Sequence, residues 1–187
     1  SCVMPLFDIA NLPVPGFTGA GGSLQLCLDG SVKVYSTGVE LGQGLISVLT
    51  QMAAEEFEIP PGKVTVVLGD IDTSPNSGPT VASRSTYVQG NALLLSARTL
   101  KDRVLDVATK ILEENKGSLS FRDGMVVCSS KQSKKITLSQ LATECYARGV
   151  NLRQDSWFRA EHAMIGHTFC ITVADVEVNT VTGEANV

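Results

Sequence analysis

The chain has 187 residues, of which 43% are hydrophobic and 18% are charged, a composition typical of a folded globular protein and too apolar for a disordered one. Its formal net charge of −4 argues against a nucleic-acid or anionic-membrane surface, since both need clustered Lys and Arg. No apolar run approaches the roughly 20 residues that a membrane span requires. We therefore expect a soluble, cytoplasmic protein with neither a nucleic-acid partner nor a membrane partner.

The metal-binding residue types are few and scattered. The two histidines, His162 and His167, have no carboxylate or cysteine around them at metal-ligand spacing, so we expect structural or solvated roles for both. The cysteines are odd in number, and no C-x-x-C pair is present: they are Cys2, Cys27, Cys128, Cys145 and Cys170. This spacing disfavours a disulfide framework, a zinc site and an iron–sulfur cluster.

The first half of the chain predicts two units in which a strand leads through a loop into a helix. The alternating segment "LQLCLDGSVKV" from Leu24 to Val34 predicts a hairpin around Asp29-Gly30, with Leu24, Leu26 and Leu28 on one face. A helix follows from Leu45 and is stopped by Pro60-Pro61-Gly62. The second unit consists of a predicted strand at residues 63–69, an irregular loop at residues 70–85 and a long helix at residues 86–113.

The second half predicts hairpins and one helix. "SLSFRDGMVVCSS" at 118–130 indicates an Asp-Gly hairpin, and "TLSQLATECYARG" at 137–149 indicates a helix with a Thr cap and a Gly stop. The tail at 168–187 predicts two strands around a Thr182-Gly183 turn and looks cut from a longer chain. The expected fold class is α+β, a mixed sheet with strand-loop-helix units and hairpins, divided into a unit at 24–113 and a looser unit at 118–187.

The glycine-rich segment "GVELGQGL", which opens the first helix, is a candidate ligand site. Gly42 and Gly44 flank Gln43, whose amide can both donate and accept hydrogen bonds, and glycine allows a ligand to approach the backbone. The spacing matches neither a Walker loop nor a dinucleotide fingerprint. The segment therefore suits a flat, heteroatom-rich organic ligand better than a bare phosphate. A tight turn that packs a helix is the alternative.

The second loop places hydroxyl groups and a guanidinium at the mouth of the long helix: Thr80, Ser83, Arg84, Ser85 and Thr86. Backbone N–H groups at a helix start, hydroxyls and an arginine are what a phosphate or pyrophosphate requires. Capping of the helix by Ser85 or Thr86, beside an exposed arginine, is the alternative.

Taken together, the two loops resemble the molybdenum-binding subunit of the molybdenum hydroxylases, the xanthine dehydrogenase and aldehyde oxidase family. The resemblance rests on the ordered series "GVELGQG", "IPPGKV", "DTSPNSGP" and "ASRS", with "DGSVKV" and "VADVEVNTVTGE" as flanking segments. It spans nearly the whole chain and implies an internal piece of the family's molybdopterin-binding domain.

The resemblance implies specific cofactor contacts. The positions matching Gly42, Gln43 and Gly44 contact the pterin beside molybdenum in the family, and those matching Ala82, Ser83, Arg84 and Ser85 contact the molybdenum face and the cofactor's phosphate portion. The metal is held there by the pterin dithiolene rather than by side chains. The cofactor is a mononucleotide or cytosine dinucleotide form of molybdopterin.

The resemblance also implies an activity that this chain would not carry alone. The family's general-base glutamate lies in a G-x-G-E segment expected downstream of Val187, so no catalytic residue is assigned, and neither Glu40 nor Glu184 is taken as a substitute. The full enzyme would hydroxylate a heteroaromatic, purine-like substrate or an aldehyde with water as oxygen source, and pass electrons to 2Fe-2S and FAD subunits or domains. The alternative is a non-catalytic binding or assembly module without cofactor.

Overall fold

The structure is a computed structural model that describes residues 2–5, 18–131, 133–161, 167–170 and 173–186. The helices are α1 (Leu45–Phe57), α2 (Gly90–Leu112) and α3 (Leu138–Ala147). The strands are β1 (Cys2–Pro5), β2 (Gly19–Leu26), β3 (Val32–Ser36), β4 (Val64–Leu68), β5 (Leu119–Arg122), β6 (Met125–Cys128), β7 (Lys135–Thr137), β8 (Arg153–Arg159), β9 (His167–Cys170), β10 (Glu177–Val178) and β11 (Ala185–Asn186).

The predicted first hairpin forms the centre of a sheet with strand order β4-β3-β2-β8. β2 and β3 pair antiparallel with Leu24 opposite Val34, and Gly30 has the positive φ of 80° that its turn position needs. Leu24 and Leu26 are buried as expected. Leu28 is 48% exposed, contrary to the prediction, because the chain has already left β2 and entered the turn.

β3 and β4 lie side by side and run parallel, with Val34 opposite Val66. α1 connects them, as a crossover element must between parallel neighbours. The chain therefore leaves the carboxyl ends of both strands at the same edge of the sheet. The two candidate loops, which are separate in sequence, follow these two strand ends.

α2 packs across β2 and β8, and the glycines of β2 make this close approach possible. A Cβ atom on Gly22 would lie 2.7 Å from the backbone nitrogen of Leu93 and 2.8 Å from the carbonyl carbon of Ala92. The predicted long helix is confirmed, with a π-helical turn at Ser85–Gln89 ahead of α2. This turn joins the second loop directly to the helix.

The second half confirms its predicted hairpin and helix and adds strands that local patterns missed. β5 and β6 pair around Asp123-Gly124, where both residues have positive φ, and β7 extends this sheet. α3 starts with a capping box in which Thr137 accepts from the Gln140 backbone nitrogen. β8 pairs with β2 over its whole length, which places Trp157 on a strand with 57% of its surface exposed.

The tail contains the expected hairpin of β10 and β11, with Gly183 at a φ of 77°. β9 pairs with β1, which the sequence did not predict. His167 lies in β9, and His162 lies outside the described residues.

One continuous hydrophobic core includes residues from both predicted units, for example Leu49 and Leu100 from the first and Phe121 and Leu141 from the second. The division at 24–113 and 118–187 stays a prediction. The mixture of helices with parallel and antiparallel strand pairs confirms the α+β class. Within the described ranges, no helix is long and apolar enough to cross a membrane.

Candidate functional site

Loop 1 (residues 37–44) and loop 2 (residues 69–84) contact each other directly. The Val39 backbone nitrogen donates to the Thr80 hydroxyl at 2.9 Å. Thr37 and Ser77 are joined twice: the Ser77 nitrogen donates to Thr37 Oγ1 at 2.7 Å, and the Thr37 nitrogen donates to Ser77 Oγ at 3.1 Å. These bonds link residues about 40 positions apart and hold the two loops against each other.

A buried polar cluster supports this junction from below and consists of Ser36, Ser77 and Gln89. The Ser36 hydroxyl lies 3.0 Å from the Ser77 hydroxyl and 3.2 Å from Gln89 Oε1. All three residues are buried, at 3%, 0% and 1% exposure, so the hydrogen bonds replace the water that these groups lose. The cluster ties the end of β3, loop 2 and the turn before α2 together.

Between the loops lies an open cleft of about 350 Å³. Four of the seven predicted cofactor-binding residues line it, namely Gln43, Ala82, Ser83 and Ser85, and the remaining lining residues are Leu41, Thr80, Val81 and Thr86. The cleft combines amide and hydroxyl groups with exposed apolar side chains, since Leu41 is 71% and Val81 is 44% exposed. Its size is at the low end of the roughly 300–1,000 Å³ common for ligand sites.

Gly42 and Gly44 do not line the cleft; they shape loop 1. Both have positive φ, 91° and 81°, which glycine adopts without steric cost. A Cβ on either would meet nothing within 4 Å, so the backbone conformation, not a close neighbour, requires glycine here.

The backbone N–H groups of loop 1 are occupied by a side chain of the loop itself. Glu40 Oε1 accepts from the Gly42 nitrogen at 3.0 Å and from the Gly44 nitrogen at 2.9 Å. Glu40 Oε2 accepts from the Ile46 nitrogen in the first turn of α1 at 3.0 Å. These backbone N–H groups lower the pKa of the Glu40 carboxyl. Loop 1 thus already holds an anion at the start of α1.

The Gln43 side chain folds back on loop 1 while it lines the cleft. Its Oε1 accepts from the Leu41 backbone nitrogen, and its Nε2 donates to the Val39 carbonyl at 2.8 Å. An amide has a second N–H and a second acceptor position, so each end of Gln43 can make one more hydrogen bond. The residue is exposed, which leaves these positions accessible.

Arg84 is oriented differently from the sequence-based expectation. It is 0% exposed, and its guanidinium donates to the backbone carbonyls of Gly19 at 2.6 Å, Ser77 at 2.8 Å and Pro79 at 2.7 Å. Burial lowers the pKa of this guanidinium. The side chain points into the protein because these carbonyls need a donor there, so in this structure it fixes loop 2 and does not face the cleft.

Loop 2 is strained where it meets the cleft. Ala82 and Ser83 are adjacent non-glycine residues with φ of 49° and 55°. Left-handed backbone costs a non-glycine residue roughly 1–2 kcal/mol, and such outliers cluster at functional sites. The hydrogen bonds of Arg84 and Thr80 on either side hold this conformation in place.

The start of the second helix is open, in contrast to α1. Arg84 is its N-terminal boundary and makes no capping hydrogen bond through its side chain, and the first turn contains no acidic residue. Ser85 and Thr86 lie inside the first turn rather than at the cap, so the capping alternative is not what the structure has. Within the part of the chain that the structure describes, no side chain caps these N–H groups, so they and the positive end of the helix dipole adjoin the cleft.

Among the described residues, no group of three or more His, Cys, Asp or Glu could hold a metal ion. Asp70 instead shapes a turn, accepting from the Asp72 nitrogen at 3.0 Å. The supporting role of Ser36 and Gln89 is not evident from local sequence patterns. Gln89 stands four residues before Leu93 and so falls on the apolar face of the predicted helix; a polar residue at that position is the signal that could have found it.

The sequence profile of the molybdopterin cofactor-binding domain matches residues 3–187 of this chain. The chain is 31% identical over 169 residues to xanthine dehydrogenase 1 of Arabidopsis thaliana, covering 88% of this chain and 11% of that protein. It is 29% identical over 170 residues to a putative xanthine dehydrogenase molybdenum-binding subunit of Escherichia coli K12, covering 87% of this chain and 23% of that subunit.

Solved structures share the fold. Quinoline 2-oxidoreductase from Pseudomonas putida 86 superimposes with a TM-score of 0.75 at 18% identity, over 90% of this chain and 22% of that chain. CO dehydrogenase from Oligotropha carboxidovorans gives 0.70 at 24% identity, over 76% and 18%. The chain thus spans less than a quarter of the length of each of these relatives.

Proposed function

The chain belongs to the molybdopterin cofactor-binding domain family of the molybdenum hydroxylases, and we propose that it forms part of the cofactor site of an enzyme of the xanthine dehydrogenase and aldehyde oxidase type. The observation that carries the proposal is the cleft between loops 1 and 2. Gln43 lines one side and Ser83 and Ser85 line the other, within a unit whose sequence matches the family throughout.

The chemistry of the residues lining the cleft supports such a cofactor. A pterin is flat and rich in heteroatoms, and the free positions of the Gln43 amide can bond to its edge, while Leu41 and Val81 offer apolar contact. Gly42 and Gly44 would act through the shape of loop 1. When bound, the cofactor supplies the molybdenum redox centre at which substrate is oxidised.

The phosphate portion of the cofactor is assigned to loop 2. The start of the helix at Ser85 offers N–H groups and a positive dipole end, and Ser83, two residues earlier, lines the same cleft. Ala82 would present the strained backbone next to these groups. For Arg84 we propose an indirect role in which the buried guanidinium positions the loop that binds the phosphate.

The whole enzyme would oxidise a heteroaromatic, purine-like substrate or an aldehyde, with water as the oxygen source. Relatives named xanthine dehydrogenase support the purine-like class. Electrons would pass from the molybdenum site to 2Fe-2S and FAD subunits or domains. The enzyme would be cytoplasmic. The nucleotide form of the pterin would be the mononucleotide or the cytosine dinucleotide. This chain alone, without the general-base glutamate, would show no turnover; hydroxylation by the isolated chain would disprove that part.

The test is the molybdenum content of the complete protein after purification. We expect Gln43→Ala and Ser83→Ala each to weaken cofactor retention about tenfold, since one lost hydrogen bond of about 1.4 kcal/mol corresponds to that factor. Gln51→Ala and Ser120→Ala change the same residue types at exposed positions and should retain wild-type content. Unchanged molybdenum in both cleft variants would overturn the assigned roles.

The second candidate is a non-catalytic binding or assembly module that keeps this fold without loading cofactor. It is favoured by the self-contained hydrogen bonding of Glu40 and Gln43, which closes loop 1 without a ligand. A complete protein purified without molybdenum, together with a flanking sequence that has no downstream G-x-G-E segment, would support the module over the enzyme.

A further inference from the structure

Loop 1 contains a carboxylate, that of Glu40, at the start of α1, where the helix dipole would attract an anionic ligand. Glu40 accepts from the backbone nitrogens of Gly42 and Gly44 through one oxygen and of Ile46 through the other, at 2.9–3.0 Å. The Val48 nitrogen already bonds to the Gly44 carbonyl as part of α1. The glutamate therefore satisfies N–H groups that α1 itself leaves without a partner.

We propose that Glu40 is a positioning residue of the cofactor site: its carboxylate fills the anion position at the start of α1 and thereby presents the Gln43 side chain to the cleft. This inference rests on the proposed function, because it assigns Glu40 a task in the same site. Its consequence is that loop 1 bonds a neutral part of a ligand and leaves anionic groups to loop 2.

Glu40 is connected to Gln43 through the backbone N–H groups of the two residues that flank Gln43. Gln43 lies between Gly42 and Gly44, whose N–H groups both point to Glu40 Oε1. Those two glycines have φ of 91° and 81°, so the turn around Gln43 is unlike any regular structure. Hydrogen bonds to an ionised acceptor are about twice as strong as neutral ones, which suits them to hold such a turn.

The electrostatic difference between the starts of the two helices supports assigning a neutral part of the ligand to loop 1 and its anionic groups to loop 2. At α1 the carboxylate already offsets the partial positive charge of the helix start, and a second anion there would repel it. At the helix after loop 2, no carboxylate of the described residues accepts from the first backbone N–H groups, whereas Glu40 does so at α1. Phosphate groups are therefore favoured at Ser85 over Gly44.

The first measurement is hydrogen–deuterium exchange of the complete protein, followed by mass spectrometry of peptides covering residues 39–46. Glu40→Ala should raise the exchange of this segment about tenfold, which is the factor for one charge-assisted hydrogen bond of modest strength. Glu55→Ala removes a glutamate from an exposed position of α1 and should leave the segment unchanged. Wild-type exchange in Glu40→Ala would overturn the proposal.

The second measurement separates a positioning role from a merely structural one. Molybdenum content is compared in Glu40→Ala, in Gln43→Ala and in the double variant. If Glu40 acts through Gln43, Glu40→Ala lowers the content in the wild-type background but causes no further loss in the Gln43→Ala background. Independent, additive losses would overturn the proposal, as would full content in Glu40→Ala.

The failure of the proposed function gives a different result. If Gln43→Ala and Ser83→Ala retain full molybdenum, the cofactor roles of the cleft fail. Faster exchange in Glu40→Ala would then still establish that Glu40 organises loop 1, but positioning toward the cofactor would be disproved. A Glu40→Asp variant, which keeps the charge on a shorter side chain, should recover part of the exchange protection.

Discussion

The Val39 backbone nitrogen donates a hydrogen bond to the Thr80 hydroxyl at 2.9 Å and so joins loop 1 to loop 2 at the cleft. Thr80 itself lines the cleft, so this bond holds both walls at a defined separation. The contact couples residues 41 positions apart, and neither of them belongs to a helix or strand.

Thr80→Val keeps the shape of the side chain and removes its acceptor. We expect a loss of about 1 kcal/mol in the free energy of unfolding, typical of one hydrogen bond, together with lower molybdenum content in the complete protein. The matched control is Thr65→Val at an exposed position of β4, which should have little effect on either quantity. Denaturant unfolding and metal analysis check the pair, and equal behaviour of the two variants would contradict the prediction.

Arg84→Lys tests the buried guanidinium. Lysine cannot reproduce the fork that reaches the carbonyls of Gly19, Ser77 and Pro79, so at least about 2 kcal/mol of stability should be lost. Arg98→Lys, at an exposed position that pairs with Glu56, should cost less than about 0.5 kcal/mol. Denaturant titration measures both. Unchanged stability combined with lost cofactor in Arg84→Lys would instead support the direct phosphate contact expected from sequence.

Gly22→Ala tests the close packing of α2 on β2. The new Cβ would come within 2.7 Å of the Leu93 nitrogen, and backbone atoms cannot move aside cheaply, so we expect a loss of about 1–3 kcal/mol. Gly117→Ala adds the same atom where nothing lies within 4 Å and should stay within about 0.5 kcal/mol of wild type. Thermal or denaturant unfolding compares the two, and a tolerated Gly22→Ala would show that α2 can shift.

Ala82→Gly tests the strained backbone of loop 2. Glycine relieves the positive φ of 49°, so stability should rise by up to about 1 kcal/mol, while a looser loop should retain cofactor less well. Glu113→Gly relieves a similar φ of 50° at the end of α2 and should stabilise without changing molybdenum content. If both variants kept full molybdenum, rigidity at Ala82 would have no role in binding.

Because the Glu40 carboxylate holds loop 1, we expect the exchange protection of loop 1 to depend on pH. Backbone N–H groups, first of Ile46 and then of Gly44 and Gly42, lower its pKa in the folded protein below the ordinary value of 4.5. A lowered pKa means that the stabilisation is present above pH 4.5 and is lost as the pH falls through the folded-state pKa. The ratio of exchange rates of residues 39–46 between Glu40→Gln and wild type should therefore be high at neutral pH and decline toward one in acid. A ratio independent of pH would contradict this.

Local patterns predicted much of the fold because hairpins and helices have short-range signals. The Asp29-Gly30 turn, the helix from Leu45 and the Thr137 cap were all found in the structure where the sequence placed them. β8 was missed, because the polar and aromatic run from Arg153 to Arg159 becomes a strand only by pairing with β2, more than a hundred residues away.

The ordered motifs of the two loops were sufficient to identify the family, and the profile of the molybdopterin cofactor-binding domain confirms it. The family could be identified from the sequence because these motifs are defined by residue types and their spacing along the chain. Gln43 and Ser83 were named on that basis, and the structure brings both to one cleft. Their cofactor roles stay a prediction.

The sequence by itself determined which elements form and which loop residues are candidates, since helix and strand periodicity and turn chemistry are local properties. Only the tertiary structure decided where their polar groups point. Arg84 turns inward because the Gly19 carbonyl, 65 residues away, needs a donor, and loop 1 carries its own anion because the turn around Gly42 and Gly44 directs N–H groups at Glu40. Those outcomes depend on partners that meet only after the chain has folded.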